Sequence, residues 1–426
     1  MKVSLLARIA LCATVFLFAS AGALAAKKDA PVNEYPNATR ADPKADMSSK
    51  EQRDLSKATD LVNDGNNDEA LPLIEKALSN PKIGPYAHAF AQQLLGRVYW
   101  DQEKEDQAIA ATAKAIELDA LPNNAHFSLM YQLAQMQVQT EKYPDALATI
   151  ARYEKETGKE SAELFALKGN IYYRLDKFQE AIDMMKRAVS ATDEPNESWN
   201  QILMASLFEL DQYDEAAKIV QAQLAKKPND IKLIKQLATI YVNADKYPQA
   251  IEVLSKAKSE GLITKAEDYI QLTKLYANAD KPKDAATNLK EGIDKGIVPS
   301  DFDSNKLLGD VCSQAEDDPC AIDAYTKASA QAKDGNVDYQ LGYMLYYAER
   351  GAEAKAALER AIQKGGLHQE GETYVLLGDI ESYAGNDAAA MAAWTKALAF
   401  PSAKEMAAQR IKISRSGGKL KRSTKK

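Results

Sequence analysis

Residues 167–189 read LKGNIYYRLDKFQEAIDMMKRAV. Gly169 and Tyr172 precede a polar Asp176-Lys177 step, and Ala181 and Ala188 follow it. Outward from Ala181 the same alanine returns at Ala70, Ala108, Ala146, Ala216, Ala250, Ala285, Ala321, Ala354 and Ala390, with gaps of 33 to 38 residues. Companions travel with it. Thirteen residues earlier stands Leu95, Leu133, Leu203, Leu237, Leu272, Leu308, Leu341 or Leu377. The next residue is small at Ala58, Gly96, Ala134, Gly169, Ala238, Gly309, Gly342 and Gly378. Nine before the alanine come Tyr99, Tyr172, Tyr241 and Tyr276, and seven after it a further small residue such as Ala115 or Ala257.

These spacings read as helix pairs. Leu and Tyr at i and i+4 share one helical face, as do alanines at i and i+7. A glycine or alanine on the first helix lets the second approach closely, and the Leu and aromatic side chains fill the space beside that contact. A register sustained over nearly the whole chain means that each pair buries its apolar face on its neighbours, so the length forms one elongated array instead of two or three compact domains. Gly261-Leu262, Gly296-Ile297 and Gly365-Gly366 with Leu367 all begin eleven residues after an anchor alanine, the pattern of a left-handed helix stop.

The columns resemble the tetratricopeptide repeat, here in residues 167–189 and in LATIYVNADKYPQAIEVLSKA (residues 237–257). Gln137, Cys312 and Glu381 depart from the Tyr column, and Tyr153 and Gln223 from the late Ala column. The resemblance implies an all-α fold, a right-handed superhelical α-solenoid of about ten helix pairs over residues 51–410.

The ends are different. Lys2 and Arg8 precede an apolar run from Ile9 to Phe18, and Ala23-Leu24-Ala25 supplies a cleavage signal, so residues 1–25 read as a secretory signal peptide and place the mature chain in the periplasm. Residues 26–50 hold Pro31, Pro36 and Pro43 in a polar background and read as a disordered linker. Loss of Lys2 and Arg8 with no acid takes the formal charge from −7 to −9, yet Lys404 onward carries nine basic residues against Glu405 alone. Residues 411–426 therefore read as a basic flexible tail able to touch an anionic surface; nucleic acid does not suit an exported acidic array.

Catalytic and metal signatures are missing. His88, His126 and His368 are far apart, with no metal-type partner at i+4, and no H-E-x-x-H, paired C-x-x-C or G-x-S-x-G occurs. The expectation is a non-enzymatic protein with no cofactor and no metal. Cys312 and Cys320 flank the turn of the eighth repeat. In an oxidising compartment they are disulfide candidates, the alternative being two reduced thiols packed as small apolar residues.

The tetratricopeptide resemblance implies that first helices line a concave groove for a protein or peptide partner. On that pattern the candidate contacts are Trp100, Asn170, Tyr173, Arg174, Phe208, Asn243, Lys274, Asn278, Tyr343, Tyr346 and Tyr347. Aromatic rings bury much area at little rotamer cost, which suits recognition; the same rings packed between neighbouring repeats remain the alternative. Ala166 and Ile202 break the clamp that some family members use for a peptide carboxylate. The layout, with residues 34–58, WNQIL at 199–203 and the Gly-Leu-Ile and Gly-Ile-Val helix ends, is also similar to exported proteobacterial tetratricopeptide proteins associated with TonB energy transduction. That implies components of a TonB complex as partners. Other envelope tasks (outer-membrane protein assembly, cell-wall enzyme recruitment, polysaccharide export) and a chaperone-like module are the alternatives.

Overall fold

The computed structural model describes residues 32–418. The signal-peptide reading of residues 1–25, the linker's first residues and residues 419–426 of the tail lie outside them. The chain divides into two compact units, 1–212 and 213–426. In the first, the helices are α1 (Ser49–Asn63), α2 (Asn67–Leu78), α3 (Pro85–Asp101), α4 (Glu105–Glu117), α5 (Asn123–Gln139), α6 (Tyr143–Thr157), α7 (Ala162–Arg174), α8 (Phe178–Ser190) and α9 (Glu197–Glu209). In the second they are α10 (Tyr213–Lys226), α11 (Ile231–Asn243), α12 (Tyr247–Ser259), α13 (Ala266–Asn278), α14 (Pro282–Asp294), α15 (Phe302–Gln314), α16 (Asp318–Ser329), α17 (Asn336–Tyr347), α18 (Gly351–Lys364), α19 (Glu370–Tyr383), α20 (Asp387–Ala397) and α21 (Lys404–Arg415). No strand occurs among the described residues. Within each unit, helices pack on neighbours one or two places along the chain, as a solenoid requires.

The repeating columns explain the packing. None of the ten anchor alanines is more than 1% exposed. The small residue twelve positions before the anchor faces the residue four positions after it. Where that residue is aromatic the small one is glycine: a Cβ on Gly309 would lie 2.5 Å from the Tyr325 ring, and one on Gly378 2.3 Å from Trp394 Nε1. Ala58, Ala134 and Ala238 occupy the same column as fully buried residues. The tyrosine column is only half-buried. Two of its hydroxyls reach back to the preceding pair, where Tyr241 Oη accepts from Gln221 and Tyr276 Oη meets Ser255 Oγ, each at 2.8 Å.

One device closes all ten helix pairs. The residue five before each anchor has positive φ: Gly65, Glu103, Glu141, Asp176, Asp211, Asp245, Asp280, Glu316, Glu349 and Gly385. In the α11–α12 turn, the Lys246 amide donates to Tyr241 O (2.8 Å) and the Asp245 amide to Val242 O (3.1 Å). This double bond to the last helical turn is a Schellman closure, and it recurs at every one of these turns. Proline opens α3, α6, α12, α14 and α16, where no intrahelical amide is needed. Gly261, Gly296, Gly365 and Gly366 all have positive φ, as expected of them. Cys312 and Cys320 are joined as a disulfide across the α15–α16 turn, with Cα atoms 5.7 Å apart.

Two expected boundaries move. Residues 32–47 have no regular structure, but they are not the disordered linker that their prolines implied. Tyr35, 7% exposed, packs its ring 4.9 Å from Phe127 and 6.1 Å from Tyr153. The Arg40 guanidinium bonds the Leu121 and Asp119 carbonyls and pairs with the Asp119 carboxylate. Asp42 accepts from the Asn123 amide at the start of α5 (2.7 Å), where Pro122 offers no side-chain cap. The segment is a strap that satisfies orphan groups at the ends of α4, α5 and α6. Beneath it lies His126, its side chain fully buried and neither ring nitrogen hydrogen-bonded. At the other end, residues 411–415 are helix and not flexible tail. Ile411 is buried, and Arg410 of the same helix pairs with the Asp379 carboxylate, so α21 covers the last helix pair.

Candidate functional site

The aromatic candidates gather on α17. Its sequence NVDYQLGYMLYY puts Leu341, Gly342, Met344 and Leu345 on the core side. Tyr339, Tyr343 and Tyr347, four residues apart, form the opposite stripe. Ring centroids are 6.4 Å apart from Tyr339 to Tyr343 and 4.7 Å from Tyr343 to Tyr347. Tyr346 touches Tyr347 at 5.1 Å and stacks with Tyr383 of α19 at 6.3 Å. Five half-buried tyrosines thus form an unbroken ladder across two helix pairs.

The ladder ends in a cleft of about 400 Å³ between the α17–α18 turn and the end of α19. Tyr346, Tyr347 and Tyr383 wall it, with Glu349, Lys355, Glu381 and Asn386 as its polar groups. Glu381 is held by Lys355 Nζ at 2.5 Å and Asn386 Nδ2 at 2.8 Å. Those bonds, Lys355 first, hold its carboxyl below the usual range, and Glu381 in turn raises the Lys355 ammonium. Burial, reinforced by Glu372, pushes the Tyr339 phenol up to about 12. Burial also raises Tyr343, where the bond with Tyr347 adds, and Tyr346, where the bond with Tyr383 adds. These three phenols stay protonated at neutral pH and present neutral rings and hydroxyl donors.

The other candidates are dispersed. Trp100 on α3, Asn170 and Tyr173 on α7, and Phe208 on α9 are half-buried, and Arg174 is exposed. The Tyr173 ring lies 5.8 Å from Phe178 of its own helix pair. Asn243, Lys274 and Asn278 are exposed on α11 and α13, and Asn243 donates to Thr239 O in its own helix. Tyr343, Tyr346 and Tyr347 are brought into one cluster. Tyr383, Lys355 and Glu381 were missed by reading repeats one at a time. Seven residues before the anchor, Tyr347 and Tyr383 occupy the same column, which is polar or charged in the eight earlier repeats.

Tetratricopeptide repeat families match residues 55–125, 131–196 and 207–261. These segments carry tetratricopeptide repeats. No curated protein matches the chain. Among solved structures, it is similar to a tetratricopeptide repeat protein from Parabacteroides merdae (17% identity, 61% of this chain and 98% of the other, TM-score 0.36). It is also similar to the C-terminal part of a tetratricopeptide repeat protein from Cytophaga hutchinsonii (16% identity, 66% and 99%, TM-score 0.35). A third is YrrB, described as a tetratricopeptide repeat protein with an unusual peptide-binding site (21% identity, 43% and 90%, TM-score 0.33). The helix pairs commit their anchor columns to the core, and the tyrosine ladder on α17 and α19 stays half-buried at its edge.

Proposed function

We propose that the chain is a non-catalytic scaffold that binds a protein partner through the α17–α19 tyrosine ladder. The ladder carries this reading: five half-buried tyrosine rings run in contact with one another to a cleft, a continuous aromatic surface in front of the Leu341, Met344 and Leu345 core. Rings with polar tips contribute large contact area with few rotatable bonds, the property of interface anchors. A photo-cross-linking residue in place of Tyr347, in cells, should trap a discrete protein species. The same residue in place of Lys274 is the control, and equal yields from the two positions would discard the ladder as the binding surface.

The finer reading is a periplasmic accessory of a TonB-type outer-membrane transport system. Its support is the signal-like run of residues 1–25 and the resemblance of residues 34–58 and 199–203 to exported proteins of that kind. Pull-down with the periplasmic segment of TonB is the direct check. No binding at about 10 µM removes TonB as the partner while leaving the scaffold reading to the cross-linking result.

A further inference from the structure

His126 sits in an unfavourable place beneath the strap of residues 32–47. Its side chain is fully buried and neither ring nitrogen makes a hydrogen bond. Such a ring is tolerable while neutral and costly once charged. Four charged groups face it: Arg40 from the strap, Asp119 from the link between α4 and α5, and Arg152 and Glu156 from α6. The guanidiniums oppose a charged imidazole and the carboxylates favour it, but both carboxylates are already engaged. Asp119 pairs with Arg40 at 2.9 Å and Glu156 with Arg152 at 2.7 Å, and Glu156 Oε2 lies 3.9 Å from His126 Nε2. Burial first, and Arg40 next, keep the ring neutral at neutral pH.

The strap is the part of this site that can yield. His126 lies on α5, which packs against α4 and α6, whereas residues 32–47 have no regular structure. Lifting the strap breaks the Thr39 amide's bond to Glu156 O (2.8 Å), the Asp42 contact with Asn123 and the Arg40 bonds, but no helix of the array. It removes the Arg40 charge and opens the ring to water in one step. We propose that the strap is an acid-loosened latch: protonation of His126 drives residues 32–42 off the ends of α4, α5 and α6 and empties the aromatic pocket, walled by Phe127 and Tyr153, that Tyr35 fills. The closed latch excludes the charged ring. Its hold is therefore full above the 6.5 of an ordinary histidine and weakens as pH falls to the buried ring's value of about 4. The tyrosine ladder belongs to the other compact unit, so the latch stands or falls independently of the scaffold reading.

Hydrogen exchange of the full chain at pH 7 and pH 4.5 tests this, read as protection factors so that the pH dependence of chemical exchange cancels. In the wild type the Thr39 amide should lose about fiftyfold in protection, the ratio for an imidazole that titrates at 6.5 with the strap off and at about 4 with it on. His126→Leu should lose roughly threefold or less, with His126→Gln as a second neutral replacement should leucine disturb the fold. Helices α11 and α12 should keep their protection within about twofold in every case. A loss that persists in both variants would place the acid response at the Arg40–Asp119 pair and overturn the assignment to His126. Unchanged strap protection in the wild type would mean that Glu156 turns to the charged ring in place, and no latch exists. Equal losses in the strap and in α11 and α12 would show general acid unfolding and overturn the proposal as well.

Discussion

Gly378 shows what a single residue decides in this fold. A methyl group there would fall 2.3 Å from Trp394 Nε1, which is fully buried and donates to Asp379 at 3.1 Å. Gly378→Ala gains helix propensity but overpacks this contact, so a net loss of about 1–3 kcal/mol is expected in urea unfolding; an unchanged midpoint would mean that the indole moves aside freely. The small-residue column was legible in the sequence, but the pairing of glycine with a bulky residue sixteen positions later was not, because it appears only once the two helices are docked. His126 makes the second residue-scale case. Burial, with help from Arg40 and Arg152 and against the pull of Asp119 and Glu156, holds its imidazole at about 4, below the 6.5 of the unfolded chain. The unfolded state therefore takes up the proton first. Stability should be full above pH 6.5 and fall by up to about 1.4 kcal/mol per unit between 6.5 and 4, reaching roughly 3 kcal/mol in all. His126→Leu should flatten that slope when stabilities are compared at pH 7, 5.5 and 4.5, and parallel slopes would refute the assignment to this ring. Nothing in sequence marked His126, since a histidine near a helix start reads the same whether it is buried or solvated.

The helix pair is the element that recurs, and its turn is more uniform than its sequence. Eight of the ten turns place an aspartate or glutamate at positive φ where glycine would be unstrained. Asp245 and Asp280 are exposed at this position, so Asp245→Gly or Asp280→Gly should stabilise by about 0.5–1 kcal/mol, the relief of strain outweighing the extra freedom of the unfolded chain. A fall in the thermal midpoint would show that the carboxylate contributes more than its backbone costs. The polar turns were plain in the sequence; their left-handed residue was not, because acids in turns are ordinarily read as solvated. The strap at residues 32–47 was misread for a related reason. Its proline-rich, polar composition is that of a linker, yet Tyr35, Arg40 and Asp42, with Thr39 on Glu156 O, hold it down. Tyr35→Ala should remove about 2 kcal/mol of apolar burial and raise amide exchange around residues 119–126 and 153–159. Unaltered exchange there would mean that the polar contacts suffice without the ring.

At the scale of the whole molecule, the alanine register made the architecture legible because it is a property of every repeat, whereas the tyrosine ladder belongs to two repeats only. The same asymmetry governs how disturbances spread. Within each compact unit, packing joins helices one or two places apart in the chain, so stability is close to a sum of local and neighbour terms. A defect in the last pair acts first on the helices packed directly against it. In Gly378→Ala, amide exchange should rise from α17 to α21, where α19 packs directly on α17, α18, α20 and α21. It should remain at wild-type values in α1–α8, and cross-linking from the Tyr347 position should fall in the same variant, since Tyr383 rides on the displaced helix. Uniformly faster exchange along the whole chain would instead make the array a single cooperative block, and the ladder's shape would then depend on every repeat.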